Sequence, residues 1–470
     1  MQLIKYFSFA LLLPLVAACS DGSDNDSQDM PDPMPPVPEV RSAELRVTHA
    51  SPDAPDVNVY VDGERALENV PFKATSGLIE FDPGTYEVEV RGLLPDGSEV
   101  SVIGPVALTL EEGQRTDVVA YDRLFDAAGE VNIKARVLDP VAIGDVGDVQ
   151  VSVLHAAAGV GTVDVFVTAP GEALAGASPI NLAFGDAAGP VALEPDTQYQ
   201  VRIAPAGSTD VVFDSGALSF PAGTELLAVA VDNTFKTGAS PASLLAVGAA
   251  EASEVVDVNS VSAVRVVHNS ADTPAVDVLV DGAVALDAVP FPAASAYDDI
   301  QAPSGTYNVV VAADADNSIA PIDADLELEA PRSYTVLAVG SFAEDTIEAV
   351  LTGDERRSVA TEATVRVVHG SYLVAAEIPV DVYLTADGVI ADAEPAIANL
   401  AYPDATDQLA IAPGNYWVTV TAAGDKAVVA FDSGAPLALE AGNHYTAIAR
   451  DPSSAEVTGS PLIQLTLLVD

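Results

Sequence analysis

The chain has 470 residues, of which 70 are acidic and 19 are basic, and its net charge is −51. A polyanion of this kind repels other polyanions, so nucleic acid is excluded as an expected partner. The length calls for several domains. The only cysteine is Cys19, and all three methionines lie at or before Met34. The chain beyond this point therefore has no thiol nucleophile, no disulfide and no sulfur ligand for a metal.

The N-terminus, residues 1–18, has the pattern of a secretory signal, with Lys5 followed by an apolar stretch. That stretch is too short to span a bilayer as a helix. It ends in two alanines and Cys19, which resembles the lipobox of bacterial lipoproteins. The resemblance implies that Cys19 is lipidated and becomes the new N-terminus. Ser20, rather than an aspartate, follows the cysteine, which in such lipoproteins favours the outer membrane. We therefore expect a lipid-anchored protein of the bacterial cell envelope.

Residues 19–40 are acidic at first and then rich in proline. Such a segment buries too little apolar surface to fold, and its proline-rich half is expected to be extended and stiff. We interpret it as a linker that holds the folded part away from the membrane.

Beyond the linker, short alternating runs rich in valine predict strands. In the first repeat they cover 44–49, 57–61, 86–90, 100–110, 117–121 and 131–138. Asp62-Gly63 predicts a tight turn after the second strand, since both residues tolerate positive φ. Many short strands with regular turn signals favour an all-β fold of tandem immunoglobulin-like β-sandwiches. The predicted repeats are 41–142, 143–258, 259–358 and 359–470.

One pattern organises these repeats, running His-x-Ser-x-Asp-x-Pro-x-Val-x-Val-Tyr-Val-Asp-Gly from His49 to Gly63. It returns in altered form at His155, His268 and His369. The second and fourth repeats instead share Phe-Asp-Ser-Gly, at Phe213 and Phe431. The chain is thus a duplicated A-B pair, and a pair that duplicates as a block is expected to pack together.

These residues carry a resemblance to a known family. The runs VRVVHNS at 264–270 and HASPDAPDV at 49–57 resemble the bacterial family called domain of unknown function 4397, as do the Gly-Thr-Tyr turns at Gly84 and Gly305. The likeness is close in repeats 1 and 3 and looser in repeats 2 and 4. It implies secretion, β-structure and repetition, and it implies no catalytic activity.

The recurrent histidine is the most prominent candidate site. His49 and Ser51 share a strand face, and Asp53 follows, so that the three mimic a Ser-His-Asp arrangement. However, repeat 2 has Ala157 in place of the serine, and repeat 4 has no aspartate two places after Ser371. We interpret the histidines as structural strand-end residues that bond backbone or the serine. With one such residue per repeat, they are not expected to converge on zinc.

A calcium site is the second candidate. Asp314, Asp316 and Ser318 occupy the first, third and fifth places of an EF-hand-like loop. The sixth place is Ile319 instead of glycine, and the twelfth is Asp325 instead of glutamate. We predict an acidic, solvated loop here, while a looser interdomain calcium site stays open.

Taken together, the sequence predicts a noncatalytic envelope protein, with no cofactor and no catalytic residue, whose sandwiches form a binding or spacer scaffold. Its partner would be a protein or a glycan. The alternatives are a calcium-dependent adhesive module and an envelope hydrolase. A hydrolase would need one repeat to carry polar residues that the others lack.

Overall fold

Alternating valine-rich segments form β-strands almost throughout the computed structural model of the protein. The structure describes residues 42–143, 147–300, 304–375, 379–453, 456 and 462–470. The predicted leader, the linker and Cys19 lie outside the described residues. In the described part, β-branched side chains suit a pleated surface that is buried on one or both faces.

Repeat 1 shows the basic plan. Its strands are β1 (Ala43–His49), β2 (Val57–Val61), β3 (Glu64–Val70), β4 (Ile79–Phe81), β5 (Gly84–Leu93), β6 (Glu99–Leu110), β7 (Gln114–Tyr121), β8 (Lys134–Val137) and β9 (Val141–Ala142). The predicted turn joins β2 to β3, with Asp62 at φ 51° and Gly63 at φ 78°. This left-handed turn sets the register in which Val61 faces Glu64.

Repeat 2 follows the same order. Its strands are β10 (Val149–His155), β11 (Val163–Thr168), β12 (Ile180–Leu182), β13 (Ala187–Leu193), β14 (Tyr199–Pro205), β15 (Phe213–Leu218), β16 (Glu225–Asp232), β17 (Ala242–Val247) and β18 (Ala252–Val255).

Repeats 3 and 4 complete the array. Repeat 3 contains β19 (Ser262–His268), β20 (Val276–Val280), β21 (Ala283–Val289), β22 (Asp298–Ile300), β23 (Gly305–Ala313), β24 (Ile322–Leu328), β25 (Ser333–Val339) and β26 (Glu348–Asp354). Repeat 4 contains β27 (Ala363–His369), α1 (Tyr372–Ala375), β28 (Val380–Thr385), β29 (Ile397–Leu400), β30 (Leu409–Ile411), β31 (Gly414–Ala422), β32 (Asp425–Asp432), β33 (Leu437–Leu439), β34 (His444–Arg450) and β35 (Gln464–Val469).

Each repeat is a two-sheet sandwich. One sheet holds the strand that ends in the recurrent histidine, in the orders β4-β1-β7-β8, β13-β10-β16-β17-β18, β22-β19-β25-β26 and β30-β27-β34-β35. The other sheet has the orders β3-β2-β5-β6, β12-β11-β14-β15, β21-β20-β23-β24 and β29-β28-β31-β32. The histidine strand always runs parallel to its neighbour late in the repeat, as β1 does to β7. The predicted tandem all-β sandwiches are thereby confirmed.

The histidine strands are buried on both faces, which explains how A and B pack. In β1, Leu45 and Val47 point into the core of repeat 1, while Arg46 and Thr48 are also buried. A second apolar cluster joins repeats 1 and 2, with Val119 on one side and Leu227 on the other. Repeats 3 and 4 meet in the same way through Val267, Leu337, Val339, Val368 and Ile448. The expected packing of A against B is what the structure has.

The two pairs also contact each other. Arg357, in the connection between repeats 3 and 4, donates from Nε to the Pro52 carbonyl of repeat 1 at 2.9 Å. The Ala360 amide donates to the Asp53 carbonyl at 2.8 Å, and the Ala360 side chain packs on the core of repeat 1. Residues Arg41–Asp470 accordingly form one compact unit.

Candidate functional site

The four recurrent histidines lie at equivalent strand ends and are each about 1% exposed or less. Three of them lie near a carbonyl oxygen six residues further on. Nε2 of His49 is 3.1 Å from the Pro55 oxygen, and Nε2 of His268 is 3.0 Å from the Pro274 oxygen. The third contact joins His155 to Gly161 at 2.8 Å. A donor at Nε2 therefore fastens the loop that follows the strand.

Each histidine ring also meets an aromatic ring edge to face, at centroid distances near 6 Å. The partners are Phe72, Phe184, Phe291 and Tyr402 for His49, His155, His268 and His369 respectively. Burial disfavours the charged imidazolium, and it lowers the pKa of His49 and of His369 to about 4. The rings of His49 and His369 are therefore neutral at pH 7. All four rings have the surroundings of core side chains.

The structure does not assemble the Ser-His-Asp arrangement. Nδ1 of His49 accepts a hydrogen bond from the Ser51 amide at 3.3 Å, so its two nitrogens meet backbone groups. Asp53 instead accepts the Leu124 amide at 2.7 Å. Ser51 Oγ is buried without a partner among the described residues. The serine therefore has no general base directed at it.

An aspartate near the recurrent histidine joins two loops in each repeat. A and B repeats place this aspartate on opposite sides of the contact. In A repeats, the aspartate lies after the first strand and accepts an amide from the loop after the late parallel strand, as in Asp53–Leu124 at 2.7 Å and Asp272–Phe342 at 2.9 Å. In B repeats, the aspartate lies at the end of the late strand, as in Asp232–Gly159 at 2.8 Å and Asp451–Leu373 at 3.0 Å. This exchange explains why the aspartate after Ser371 is missing from the sequence pattern.

The candidate calcium loop is divided between two environments. Asp316 accepts the Ser318 amide at 3.0 Å and its hydroxyl at 2.6 Å, which closes a local turn. Asp314 instead groups with Asp277 and Asp287, whose ligand-type oxygens all lie within 4.8 Å of one another. Asp277 is buried and the other two are exposed. Their separation in the sequence hid this group, because the three residues come from different strands or turns.

A set of buried arginines was missed by the sequence reasoning. Arg46, Arg265 and Arg366 each stand three residues before the recurrent histidine, and this repeated spacing was the available signal. All three cross to the partner repeat. Arg46 donates to the Gly248 carbonyl at 2.7 Å, and Arg265 pairs with Asp470 at 2.8 Å. Arg366 pairs with Asp354 at the end of repeat 3. They fasten A to B.

An open cavity lies where all four repeats meet, and we call it the junction pocket. Its volume is about 520 Å³. Every repeat contributes to its lining, which includes Lys73, Glu254, Arg332, Arg357, Glu362 and His444. This volume falls within the usual range of small-molecule sites, about 300–1,000 Å³.

Electrostatics in the junction pocket are mixed. Lys73 pairs with Glu254 at 2.6 Å, and its ammonium lies over the rings of Phe72 and Phe235 at 5.0 and 4.6 Å from their centroids. Burial lowers the pKa of Lys73, although Glu254 opposes the shift. Burial raises the pKa of Glu362, because it disfavours the charged carboxylate just as it disfavours the charged ammonium of Lys73. The pocket thus offers both charges and aromatic walls to a ligand.

Enclosed apolar cavities also lie inside sandwiches. That of repeat 2 has about 90 Å³, and that of repeat 4 about 50 Å³. Apolar side chains from both sheets line them almost entirely, and most of these are valine and leucine. Since they lack convergent polar groups that would orient a ligand, they are imperfect core packing rather than sites.

The fold and its contacts define a class, namely all-β repeat proteins built from paired sandwiches. The model of a family described as a domain of unknown function (DUF4397) matches residues 43–166 and 262–383, more than half of the chain. The chain belongs to this family. Each match begins at the first strand of an A repeat and ends in the second strand of the following B repeat.

Other comparisons give little more. No curated protein sequence matches the chain. Among solved structures, the TIE protein of Bacillus anthracis is similar at 10% sequence identity, over 88% of this chain and 69% of that chain, with a TM-score of 0.13. Within the described ranges, no helix is long and apolar enough to cross a membrane.

Proposed function

We propose that the protein is a noncatalytic, lipid-anchored binding scaffold of the bacterial cell envelope. The observation that carries this proposal is the junction pocket, because four repeats close around one open cavity of about 520 Å³. Three of the four recurrent histidines, by contrast, are occupied in holding loops, namely His49, His155 and His268. The contacts of Ser51 give an envelope hydrolase no support, since among the described residues no base is directed at this buried serine.

Anchoring through Cys19 is the part of the proposal that the sequence supports. Each methylene of an acyl chain contributes about 0.8 kcal/mol on entering the bilayer, and a stable anchor needs more than one chain. The acidic and proline-rich residues 19–40 would then separate the scaffold from the anionic membrane surface, from which a net charge of −51 is repelled.

Replacement of Cys19 by alanine tests the anchor. We expect the full-length wild type to be acylated and to sediment with membranes. Cys19→Ala should carry no acyl chains and should lose this membrane attachment, because no acyl acceptor remains. Mass spectrometry of the N-terminus should show acyl chains on the wild type alone. Ser20→Ala is the matched control and should stay membrane-bound. The proposal would be contradicted if Cys19→Ala still carried acyl chains and sedimented with membranes, or if the wild type carried no acyl chains.

A calcium-dependent adhesive module is the second candidate, and the observation that favours it is the group formed by Asp277, Asp287 and Asp314. Carboxylate oxygens are the ligands that calcium prefers. Isothermal titration of the wild type should then give binding in the range of about 10⁻⁴–10⁻³ M, as in extracellular modules.

The same loop supplies a matched control for calcium. Asp314→Asn removes one carboxylate of the group and should abolish the calcium heat. Asp316→Asn removes an equal charge two residues away, from a carboxylate engaged with Ser318, and should bind as the wild type does. Absence of calcium heat in the wild type, or equal losses in both variants, would remove this candidate.

A further inference from the structure

Three cations beside the junction pocket lack ion pairs, which is unexpected in a chain with 70 acidic and 19 basic residues. Lys236 Nζ contacts Ser358 Oγ at 3.3 Å, and Arg356 Nη1 donates to the Lys236 carbonyl at 3.2 Å. Arg357 donates to the carbonyls of Pro52 and Ala54. Among the described residues, none of the three forms a salt bridge, and the carboxylates that act on Arg357 do so from further away.

These cations crowd one another and His444. Burial lowers the pKa of Lys236, and the charge of Arg356 lowers it further, against the opposing effects of Asp470 and Glu355. Burial also lowers the pKa of His444, and the positive charge of Lys236 lowers it further. Positive charges close together repel, and the nearby Asp470 carboxylate pairs with Arg265 rather than with Lys236 or Arg356. The arrangement is therefore one that a bound anion would stabilise.

Unpartnered donors point in the same direction. His444 is 4% exposed, lines the junction pocket, and has no hydrogen-bond partner at either ring nitrogen within the described part of the chain. The backbone of Arg357 lies close enough to the His444 ring to raise the pKa of His444, but the two do not meet the geometry of a hydrogen bond. Nε of Arg356 is also buried and unpartnered. A buried polar atom left unpaired loses its hydrogen bonds to water and gains none in return, so such donors indicate a missing acceptor.

The rest of the lining limits the ligand. Glu355, Glu362, Gln408 and Thr364 add polar side chains to the pocket wall. Acidic groups at the wall disfavour a ligand that is anionic over its whole surface, and they can accept hydrogen bonds from hydroxyl groups. Guanidinium groups match carboxylate and phosphate oxygens.

We propose that the junction pocket binds a small hydroxylated organic anion, whose carboxylate or phosphate oxygens lie against Arg357 and His444 in the pocket lining. Lys236 and Arg356 lie behind His444, outside the lining, and add positive charge to this end of the pocket. The ligand joins all four repeats, because these residues and the pocket walls come from every part of the array. This inference rests on the proposed binding role and is independent of the lipid anchor.

The test uses the full-length protein in mild detergent, titrated with citrate and, separately, with glucose 6-phosphate. Sodium chloride at matched ionic strength controls for screening of the protein's charge. We expect at least one of the two probes to give binding heat and to raise the melting temperature beyond the salt control. The carboxylate and phosphate arms show which oxyanion the pocket takes. The ¹⁵N signals of the His444 ring should shift with the same affinity.

Variants locate the site. Lys236→Gln and Arg356→Gln should each weaken binding at least tenfold, and neither residue holds repeat 1 as Arg357 does. Arg136→Gln removes one exposed charge from β8 and should bind within twofold of the wild type. Silence of both probes, or equal weakening in Arg136→Gln, would overturn the proposal. Such a result would leave membrane attachment through Cys19 intact, so the two failures are distinguishable.

Discussion

Arg46→Met should lower the free energy of unfolding by about 3 kcal/mol or more, since breaking a buried ion pair typically costs about 3–5 kcal/mol. Arg46 is 1% exposed and Asp117 is 5% exposed. Nε of Arg46 lies 2.5 Å from Asp117 Oδ1. Without Arg46, the cation that stays beside the Asp117 carboxylate, within the described part of the chain, is Arg115, whose Nε lies 3.6 Å away. Urea unfolding followed by circular dichroism measures the change.

The partner repeat shares this loss. Nη1 of Arg46 donates to the carbonyls of Val247 and Gly248 in repeat 2, at 3.1 and 2.7 Å. The variant Arg46→Met/Asp117→Leu removes the stranded carboxylate and should recover most of the stability, because apolar replacement of a whole buried pair is often neutral. Recovery should stay incomplete, since the two carbonyls remain without their donor.

A control variant separates this effect from a general change of charge. Arg136→Met lies on exposed β8, and a surface substitution of this kind should stay within about 0.5 kcal/mol. Equal losses in Arg46→Met and Arg136→Met would show that the buried arginine does not fasten the A-B pair.

Acidification from pH 8 to pH 5 should cost about 4 kcal/mol of stability through His49 and His369 together. Their pKa values are lowered to about 4 in the folded protein, from 6.5. Below pH 6.5 the unfolded chain therefore binds protons that the folded protein does not, so stability falls as the pH falls towards 4. Each histidine contributes about 2 kcal/mol at pH 5 by this linkage.

Buried carboxyls act in the opposite direction at the acidic end of this range. Burial raises the pKa values of Asp53, Asp232 and Asp451, so the folded protein takes up these protons before the unfolded chain does. A histidine variant separates the two contributions. His369→Gln keeps every carboxyl. Between pH 6.5 and 4 it should reduce the difference in bound protons between the unfolded and folded states by up to one, and so flatten the dependence of the unfolding free energy on pH. An unchanged slope in His369→Gln, measured by urea unfolding at each pH, would refute the assignment.

Local sequence information determined the strands and their turns. Asp62-Gly63 predicts the β2–β3 turn because both residues accept positive φ, and the structure gives them φ of 51° and 78°. Alternating valines at Val57, Val59 and Val61 predict a strand with one apolar face. The sequence also predicts the A-B-A-B order, since duplicated segments keep their local patterns. Each of these depends on residues close together along the chain.

Tertiary structure alone decided which polar residues became buried and which met. Alternation in β1 predicts one polar, exposed face, yet Arg46 and Thr48 are buried because repeat 2 covers that face. The sequence pattern groups Asp314 with its neighbour Asp316, but in the structure Asp314 lies with Asp277 and Asp287. The junction pocket brings Lys73, Glu254 and His444 together across the whole array. Composition and periodicity describe one segment at a time, whereas these contacts depend on how the repeats close on one another, which is set by the packing of complete sheets.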